Sequence, residues 1–454
     1  MKAVSSDSKS HPTLVVGMGV SGRAVCELLL REGFDVIAAD VRSRAQFNGA
    51  LDHLEEKGCR LRLGPHRLED FVGAEKIIVS PGVPLDIEPL REAARNGVEI
   101  VGELDWAWRQ ISLPVVAVTG TNGKTTTASL IGEIIKASGK RVFVGGNIGT
   151  PLSRWILDGA AADLAVLEVS SFQLDTASQF CPEVGVLLNI TEDHLDRYDG
   201  FSAYADSKLS LFARQNKSHT AVINGDDPLC RRRLTEVPGR VLIFSRTDDT
   251  AHATIQGRKV HANVPGTDAF SLDLDRSALK GIHNEENILA AVLASTVMEV
   301  PPRAMQEVID RTRGLPHRVE WVRTWKGIDF YDDSKGTNVG AVLKAIESFD
   351  RPVLLLLGGR DKLGTYAPLG ESMKKRGKGA FVFGEAAPRI QQELEKWVPT
   401  RSFTNLDEAL QGALARAAEG DVILLSPACS SFDQYESYAR RGDHFKELVA
   451  RLSE

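Results

Sequence analysis

Short apolar runs alternate with amphipathic helical patterns along most of the chain. Runs of three to seven mostly apolar residues predict buried strands, and strands that alternate with helices are typical of α/β folds with largely parallel sheets. Ligands of such sheets bind beyond the carboxyl ends of the strands, so polar residues that follow a run are the first candidates for a site. The runs lie at residues 13–16, 35–39, 76–79, 98–101, 115–118, 164–169, 184–190, 221–223, 353–357, 379–383 and 421–425.

The same pattern divides the 454 residues into three α/β units, which agrees with a prior of about 150 residues per domain. A new strand opens after Pro114, and the sequence Arg-Thr-Arg-Gly-Leu-Pro interrupts the helical pattern near residues 313–316. Residues 241–275 are polar and favour strands, which indicates an excursion within the middle unit. The predicted domains are residues 1–103, 104–313 and 314–454.

Charge and cysteine content exclude several classes of protein. A net charge of −6 argues against a general nucleic-acid surface. The five cysteines are scattered without metal or redox spacing, which predicts reduced thiols in the cytoplasm. The first ten residues lack the apolar core of a signal peptide, and the longest apolar run, 353–357, is too short to enter a membrane.

Residues 117–126 read Ala-Val-Thr-Gly-Thr-Asn-Gly-Lys-Thr-Thr, between an apolar run and an amphipathic helical pattern. Gly120 and Gly123 let backbone N–H groups approach phosphate oxygens, Lys124 supplies a positive charge, and Thr125 can hold Mg²⁺. The spacing is shorter than the general phosphate-loop pattern because Val118 stands where its first glycine would be. The alternative is a glycine- and threonine-rich loop that only caps a helix. We therefore expect a nucleoside triphosphate to bind here.

A second glycine-rich loop, Gly17-Met-Gly19-Val-Ser-Gly22, follows the first apolar run, and Asp40 ends the next one. This spacing resembles a dinucleotide fingerprint with its ribose-binding acid. The same loop suits any diphosphate, so NAD, FAD and a UDP-type ligand all remain possible from the residues alone. Ser80-Pro81-Gly82 would lie beside this loop, or form an ordinary turn.

Two acidic segments follow buried runs in the middle unit. Glu168 opposite the phosphate loop can hold Mg²⁺, whereas Ser170 or Ser171 after it can simply cap a helix. His194 stands in the acidic segment 189–196, where a functional histidine is the preferred interpretation over a structural one. Lys208 falls in an amphipathic pattern over 201–212, where a solvated lysine is the default.

Further candidates lie later in the chain. Asn284 and Asn287 face the same way on a predicted helix and suit a purine, although a cap explains Asn284 nearly as well. Arg318 and Lys335 stand among acids and can neutralise phosphoryl charge, the alternative being a solvated charge run. Lys362 can bind the carboxylates of a small acidic substrate, as can the hydroxyl groups of Ser430 and Ser431.

Taken in order, these motifs resemble those of the Mur ligase family of peptidoglycan synthesis, and within it the branch that adds D-glutamate. The resemblance runs from Gly17 to about Gly442. The motifs that carry it are Gly-Thr-Asn-Gly-Lys-Thr-Thr, Gly-Gly-Asn-Ile-Gly, Glu-Val-Ser-Ser-Phe-Gln-Leu, Asn-Ile-Thr-Glu-Asp-His-Leu-Asp-Arg-Tyr, Gly-Leu-Pro-His-Arg, Asp-Ser-Lys-Gly-Thr-Asn and Ser-Pro-Ala-Cys-Ser-Ser-Phe-Asp-Gln.

The resemblance implies a Rossmann-like UDP-binding domain, a central ATPase-like domain with a mainly parallel sheet, and a Rossmann-like C-terminal domain. It implies an ATP-dependent ligase that joins D-glutamate to UDP-N-acetylmuramoyl-L-alanine through an acyl phosphate, releasing ADP and phosphate. A cytoplasmic monomer that serves cell-wall synthesis, and through it cell shape and division, is expected. A folylpolyglutamate-type ligase, a nicotinamide dehydrogenase and a nucleotide-dependent binding protein are the alternatives.

The resemblance also implies residue roles. It implies catalytic roles for Lys124, His194, Lys208 and Lys335. It implies two Mg²⁺ ions held by Thr125, Glu168, His194 and Lys208, the last as a carbamate. The residues implied for ATP are Gly120, Thr121, Asn122, Gly123, Lys124, Thr125, Thr126, Asn284, Asn287, Arg318 and Asp333. Those implied for the UDP substrate are Val20, Ser21, Asp40, Arg42, Gly82, Asn147 and Ser170, and those for D-glutamate are Thr337, Lys362, Ser431, Phe432 and Tyr438.

Overall fold

The computed structural model describes residues 11–194, 197–279, 281–362 and 364–452, and these form three α/β units, each built on its own sheet. The predicted α/β class with three domains is confirmed, and parallel pairing dominates all three sheets. Within the described residues, no helix has both the length and the apolar character needed to cross a membrane.

The N-terminal unit is a fully parallel sheet of order β3-β2-β1-β4-β5 with helices on both faces. Its central strands are buried on both sides because their residues are apolar throughout. The strands are β1 Thr13–Val16, β2 Val36–Asp40, β3 Arg60–Leu63, β4 Lys76–Val79 and β5 Glu99–Gly102. The helices are α1 Val20–Arg31, α2 Asp52–Glu56, α3 Leu68–Val72, α4 Glu88–Arg95 and α5 Glu103–Trp108.

The middle unit is a nine-stranded sheet of order β14-β13-β12-β11-β10-β9-β6-β8-β7. Its strands are β6 Val115–Thr119, β7 Val142–Gly146, β8 Leu164–Glu168, β9 Val184–Leu187, β10 Thr220–Asn224, β11 Arg240–Ser245, β12 Ala253–Gln256, β13 Lys259–Ala262 and β14 Phe270–Asp273. Its helices are α6 Lys124–Ala137, α7 Leu152–Asp158, α8 Ser171–Leu174, α9 Phe201–Leu209, α10 Pro228–Arg232, α11 Ile282–Val297 and α12 Pro302–Arg311.

The C-terminal unit is a six-stranded sheet of order β15-β16-β20-β17-β18-β19, parallel except for the β15–β16 pair. The strands are β15 Glu320–Trp325, β16 Ile328–Asp332, β17 Val353–Gly358, β18 Gly377–Phe383, β19 Thr400–Phe403 and β20 Val422–Leu425. The helices are α13 Val339–Glu347, α14 Ala367–Arg376, α15 Ala387–Leu394, α16 Leu406–Leu414 and α17 Tyr438–Ala450.

Short 3₁₀ turns lie in the other two units, at Arg44–Phe47 in the N-terminal unit and at Ser210–Phe212 and Leu234–Glu236 in the middle unit.

The apolar runs locate the central strands well and the edge strands poorly. The predicted excursion at 241–275 is present, since β12 joins the middle sheet parallel to β11, and β13 and β14 then extend the sheet as antiparallel strands. Strands β3, β15 and β19 carry exposed polar residues, so no apolar run marks them. The run 184–190 ends as a strand at Leu187 because Asn189 turns to hold the phosphate loop.

Two connecting stretches of chain lie between the three sheets, and the predicted domain boundaries fall within them. The first sheet ends at Gly102 and the second begins at Val115. The second sheet ends at Asp273, and helices α11 and α12 follow it before β15 begins at Glu320. Cuts at 103/104 and 313/314 lie within these stretches and stay predictions.

Candidate active site

The loop after β6 has the backbone shape of a phosphate cradle. Gly120 has φ +145° and Gly123 has φ +87°, conformations that L residues rarely adopt. A Cβ on Gly123 would lie 2.3 Å from Asn287 Oδ1, so helix α11 closes one side of the loop. Asn189 holds the other side, because its Oδ1 accepts from the Asn122 N–H at 2.8 Å and its carbonyl accepts from the Thr121 N–H.

Two lysines, the half-buried Lys124 and the buried Lys208, point at the same loop. Lys124 Nζ donates to the carbonyls of Gly120 and Thr121 at 2.8 and 2.9 Å, and burial lowers its pKa. Lys208 Nζ donates to Gly120 O at 3.0 Å, over the ring of Tyr204. A solvated Lys208 is therefore wrong, since the residue is 1% exposed. Burial, reinforced by Lys124, lowers the Lys208 pKa well below its ordinary value, which favours the neutral amine.

Oxygen donors suited to Mg²⁺ meet at the start of α6. Thr125 Oγ1 lies 2.7 Å from Glu168 Oε2, and Asn147 Nδ2 donates to Glu168 Oε1 at 2.8 Å. A hydroxyl and a carboxylate beside a phosphate cradle fit Mg²⁺, which prefers oxygen ligands. Lys208 does not fit as an amine, because an ammonium offers no lone pair and a neutral amine offers nitrogen where Mg²⁺ prefers oxygen; a carbamate would supply oxygen ligands.

His194 belongs to a strained, acidic segment. Its φ is +54°, and its Nε2 lies 3.7 Å from Asp193 Oδ2. Burial would raise the pKa of Asp193, but the cations of Lys362 and His194 outweigh it and lower the pKa. Asp193 Oδ1 accepts from Lys362 Nζ at 3.1 Å, so this segment joins the middle and C-terminal units. Asp196, the last residue of the predicted segment 189–196, lies outside the described residues.

A cleft of about 620 Å³ opens beside the phosphate loop, between the middle and C-terminal units. Most residues predicted for the nucleotide base and for phosphoryl charge meet here. They are Asn122, Gly123, Thr126, Asn284, Asn287, Arg318, Asp333 and Lys335. Asn287 is held by Thr127 Oγ1 at 3.1 Å. Gly120, Thr121, Lys124 and Thr125 lie at the base of the loop and do not line this cleft among the described residues.

Asp333 is buried and Arg318 and Lys335 are half-buried in the cleft, which does not fit a fully solvated charge run. Burial raises the pKa of Asp333 to about 7, although Ser426 Oγ donates to its Oδ2 at 2.6 Å. Burial and the neighbouring Arg318 lower the pKa of Lys335 to about 8. Lys335 Nζ lies 4.0 Å above the ring of Tyr438, which supports the cation.

A larger cleft of about 1450 Å³ lies over the N-terminal glycine loop. The third glycine of the motif is required by packing, because a Cβ on Gly22 would lie 2.0 Å from Gly17 O. Asp40 accepts from the Met18 N–H at 2.7 Å and pairs with Arg42 at 2.8 Å. Burial would raise the pKa of Asp40, but these hydrogen bonds lower it.

Of the residues predicted for the UDP substrate, Ser21, Asp40, Arg42, Gly82 and Asn147 line this cleft. Val20 is not among its lining residues and is 56% exposed at the start of α1. Ser170 is not among them either; it caps α8 with Gln173, as the alternative interpretation allowed.

A third cleft, of about 790 Å³, lies between His194 and the C-terminal unit. Lys362 lines it together with Asn338 and Tyr366. The other residues predicted for D-glutamate do not line it within the described part of the chain: Thr337, Ser431, Phe432 and Tyr438. Ser431 is buried, Phe432 is 61% exposed and Tyr438 packs against Lys335. The structure therefore does not bring these five predicted residues into one cleft.

Several cleft residues were missed by sequence reasoning. His283 lines the nucleotide cleft, and burial lowers its pKa to about 4, so it stays neutral. The sequence did offer one signal for His283, since it directly precedes the predicted site residue Asn284. Lys344 also lines that cleft and pairs with Glu286 at 2.6 Å, and Tyr366 donates to Asp361 at 2.9 Å. Nothing local in the sequence distinguishes these two from ordinary helix and loop residues.

A phosphate loop on a central α/β domain, with clefts shared by flanking α/β domains, is the arrangement of an ATP-dependent ligase. Three family descriptions match the chain: "Mur ligase MurD-like, N-terminal domain" over residues 11–102, "Mur ligase middle domain" over 118–295 and "Mur ligase, glutamate ligase domain" over 317–429. The chain belongs to the Mur ligase family.

Curated relatives match along the full length. The UDP-N-acetylmuramoylalanine–D-glutamate ligase of Desulfosudis oleivorans is 42% identical over all of this chain and 99% of its own. That of Geotalea daltonii is 41% identical over 98% of each chain. Among solved structures, MurF ligase from Thermotoga maritima in complex with ADP has a TM-score of 0.61 at 19% identity, covering 92% of this chain and 96% of its own. At that identity the likeness shows the fold alone.

Proposed function

We propose that this protein joins D-glutamate to UDP-N-acetylmuramoyl-L-alanine, using ATP and releasing ADP and phosphate. One observation carries the proposal beyond family membership. Asn147 lines the N-terminal cleft and also hydrogen-bonds Glu168 beside the phosphate loop. A substrate whose UDP part occupies that cleft would thus extend its far end toward the γ-phosphate of ATP.

The chemistry explains why two clefts must meet. A carboxylate is a poor electrophile for an amine, so its oxygen first attacks the γ-phosphorus and ADP leaves. The amine of D-glutamate then attacks the acyl carbon, and phosphate leaves through a tetrahedral intermediate. Both steps depend on positioning and on neutralising anionic charge. Lys124 and Lys335 supply positive charge at this junction.

We assign residue roles on the same basis. Gly120 to Thr126 hold the phosphates, and Asn284, Asn287, Arg318 and Asp333 hold the rest of ATP. Thr125 and Glu168 hold Mg²⁺, which would neutralise phosphate oxygens when bound. A carbamate on Lys208, together with His194, would hold a second ion. The neutral-amine form that burial favours supports the carbamate, since only an unprotonated amine adds CO₂.

The clefts support part of the substrate assignments, which otherwise rest on the resemblance. Val20, Ser21, Asp40, Arg42, Gly82, Asn147 and Ser170 are assigned to the UDP substrate. The residues assigned to D-glutamate are Thr337, Lys362, Ser431, Phe432 and Tyr438. Four of them, all except Lys362, lie outside the third cleft and would have to approach that cleft when the substrate binds. Domain closure of this kind is common when substrates bridge domains.

The cellular role completes the proposal. A monomer acting in the cytoplasm, where ATP is available, would supply peptidoglycan synthesis and so affect cell shape and division. The relatives' printed names support the peptidoglycan substrate.

The test is the amino-acid dependence of ADP release. ADP should form only when UDP-N-acetylmuramoyl-L-alanine and D-glutamate are both present, with one amide product per ADP. L-glutamate and L-lysine serve as matched acceptors. Release with another acceptor but not D-glutamate would refute the D-glutamate assignment, and folate-dependent release would favour the folylpolyglutamate-type alternative.

A further inference from the structure

Helix α13 docks the C-terminal unit on the phosphate loop through the residue at its N-terminus. Asn338 Oδ1 accepts from the Ala341 N–H at 2.8 Å, which caps the helix. Asn338 Nδ2 donates to Asn122 Oδ1 and to Asp193 Oδ2, both at 3.1 Å. Asn338 is 8% exposed, so these bonds lie out of solvent. One side chain thus joins three segments that are distant in sequence.

The cap determines which way the amide of Asn338 points. An N–H donor at Ala341 requires the amide oxygen, so the NH₂ group must face the other side. On that side it meets the carboxylate of Asp193, an acceptor, and the amide oxygen of Asn122. Asn122 Nδ2 also reaches Asn338 Oδ1 at 3.4 Å, so the two amides face each other. The direction of the hydrogen bonds is therefore set by the helix itself.

Both partners of Asn338 belong to the proposed site. Asn122 is in the phosphate loop, and Asp193 precedes His194 and accepts from Lys362. The docking surface is tight, since a Cβ on Gly340 would lie 3.0 Å from Thr191 Oγ1. A second contact, Lys344 to Glu286, fastens the other end of α13 to helix α11.

We propose that Asn338 is a positioning residue that couples docking of the C-terminal unit to the shape of the phosphate loop. By fixing α13 on Asn122 and Asp193, it places Lys335 and Lys362 against the middle unit. It acts through these neighbours rather than on the reacting atoms. The inference rests on the proposed ligase function, because its readout is the rate of amide formation.

A plain helix cap is the competing explanation, and the choice of variants separates the two. Asp and Ser cap helices about as well as Asn does. Asn338→Asp keeps the acceptor for Ala341 but replaces the donor by a second carboxylate facing Asp193, which is unfavourable when buried. Asn338→Ser keeps the cap but is too short to reach the other two partners.

Asn405 provides the matched control, since it caps α16 in the same unit by accepting from the Glu408 N–H at 3.0 Å. Asn405→Asp and Asn405→Ser make the same exchanges away from the clefts. We expect kcat for amide formation to fall at least tenfold in Asn338→Asp and several-fold in Asn338→Ser. KM for the UDP substrate should change less than twofold, and the Asn405 variants should retain wild-type kcat. Thermal unfolding midpoints should match wild type in the Asn405 variants and stay close to it in Asn338→Ser, whereas Asn338→Asp should lose some stability to the buried pair of carboxylates.

Three outcomes would overturn the inference. One is Asn338→Asp with more than half the wild-type kcat. Another is that the Asn405 variants lose as much kcat and as much thermal stability as the Asn338 variants do, because capping alone would then explain the loss. If Asn338→Asp does not fold, full activity of Asn338→Ser would overturn it. A wild-type protein that makes no amide would instead refute the proposed function, so the two failures are distinct.

Discussion

The pH dependence of ATP use should report the charge on Lys335. Its ammonium is buried in the nucleotide cleft near Arg318, and its pKa is lowered to about 8 from an ordinary 10.5. The Lys335 amine therefore carries its positive charge below about pH 8 and loses that charge above it. If Lys335 neutralises phosphoryl charge, free enzyme above pH 8 is therefore the less competent form.

The magnitude follows from the pKa. One pKa unit corresponds to about 1.4 kcal/mol, so the lowering of the Lys335 pKa gives an upper bound of roughly 3 kcal/mol for the free energy by which the cleft disfavours the cation. At about pH 9, only about one tenth of free enzyme keeps the charge, so kcat/KM for ATP should be about tenfold below its value near neutral pH. Bound phosphate oxygens favour the cation, so kcat should hold to a higher pH than kcat/KM.

Initial rates of ADP release, measured across pH, give both kcat and kcat/KM for ATP. The coupling enzymes of the assay are checked separately for their own response to pH. Lys335→Arg is the matched variant, because a guanidinium stays charged throughout this range. It should lose the alkaline fall in kcat/KM even if its absolute rate is lower. A wild-type kcat/KM that stays level to about pH 9.5, or an unchanged fall in Lys335→Arg, would refute the reasoning.

Three further changes test other parts of the site. Gly22→Ala should abolish binding of UDP but not of ATP, because its Cβ would strike backbone 2.0 Å away; a UDP affinity equal to that of the wild type would contradict this. Glu168→Gln should raise the Mg²⁺ concentration for half-maximal ADP release about tenfold or more, and an unchanged Mg²⁺ titration would remove Glu168 from the metal site. Lys208→Ala should lose activity and regain part of it with a small carboxylic acid; the absence of rescue at any concentration would count against a carbamate.

Local pattern was enough for the units of the fold and for much of the site. The strand, glycine loop and helix around Lys124 were predictable because their backbone requirements are encoded within about twenty adjacent residues. The placement of Asn284 and Asn287 in one cleft was predictable for the same reason, since helical spacing puts both on one face. Edge strands such as β15 were not, because the residues of β15 are half-buried or exposed and its sequence need not be apolar.

Burial and cross-domain contacts were beyond the reach of local pattern. Lys208 looks like a surface residue of a short amphipathic helix, and only the packing of α9 under the phosphate loop makes it buried. The motif resemblance named Lys362 and Ser431 together, and the structure joins their loops through a bridge between Arg360 and Ser430, but only Lys362 lines the third cleft.

By itself, the sequence determined three α/β units, two glycine-rich loops between a strand and a helix, and the chemical groups that stand at the strand ends, because hydrophobic period, glycine conformation and strand–helix alternation act over short distances. Only the tertiary structure decided which of those groups meet. Asn338 shows the difference: it ends the motif Asp-Ser-Lys-Gly-Thr-Asn, and nothing in that motif predicts that its amide reaches Asn122 and Asp193, 216 and 145 residues away. Contacts at such separations depend on how whole domains dock, and no local pattern encodes that.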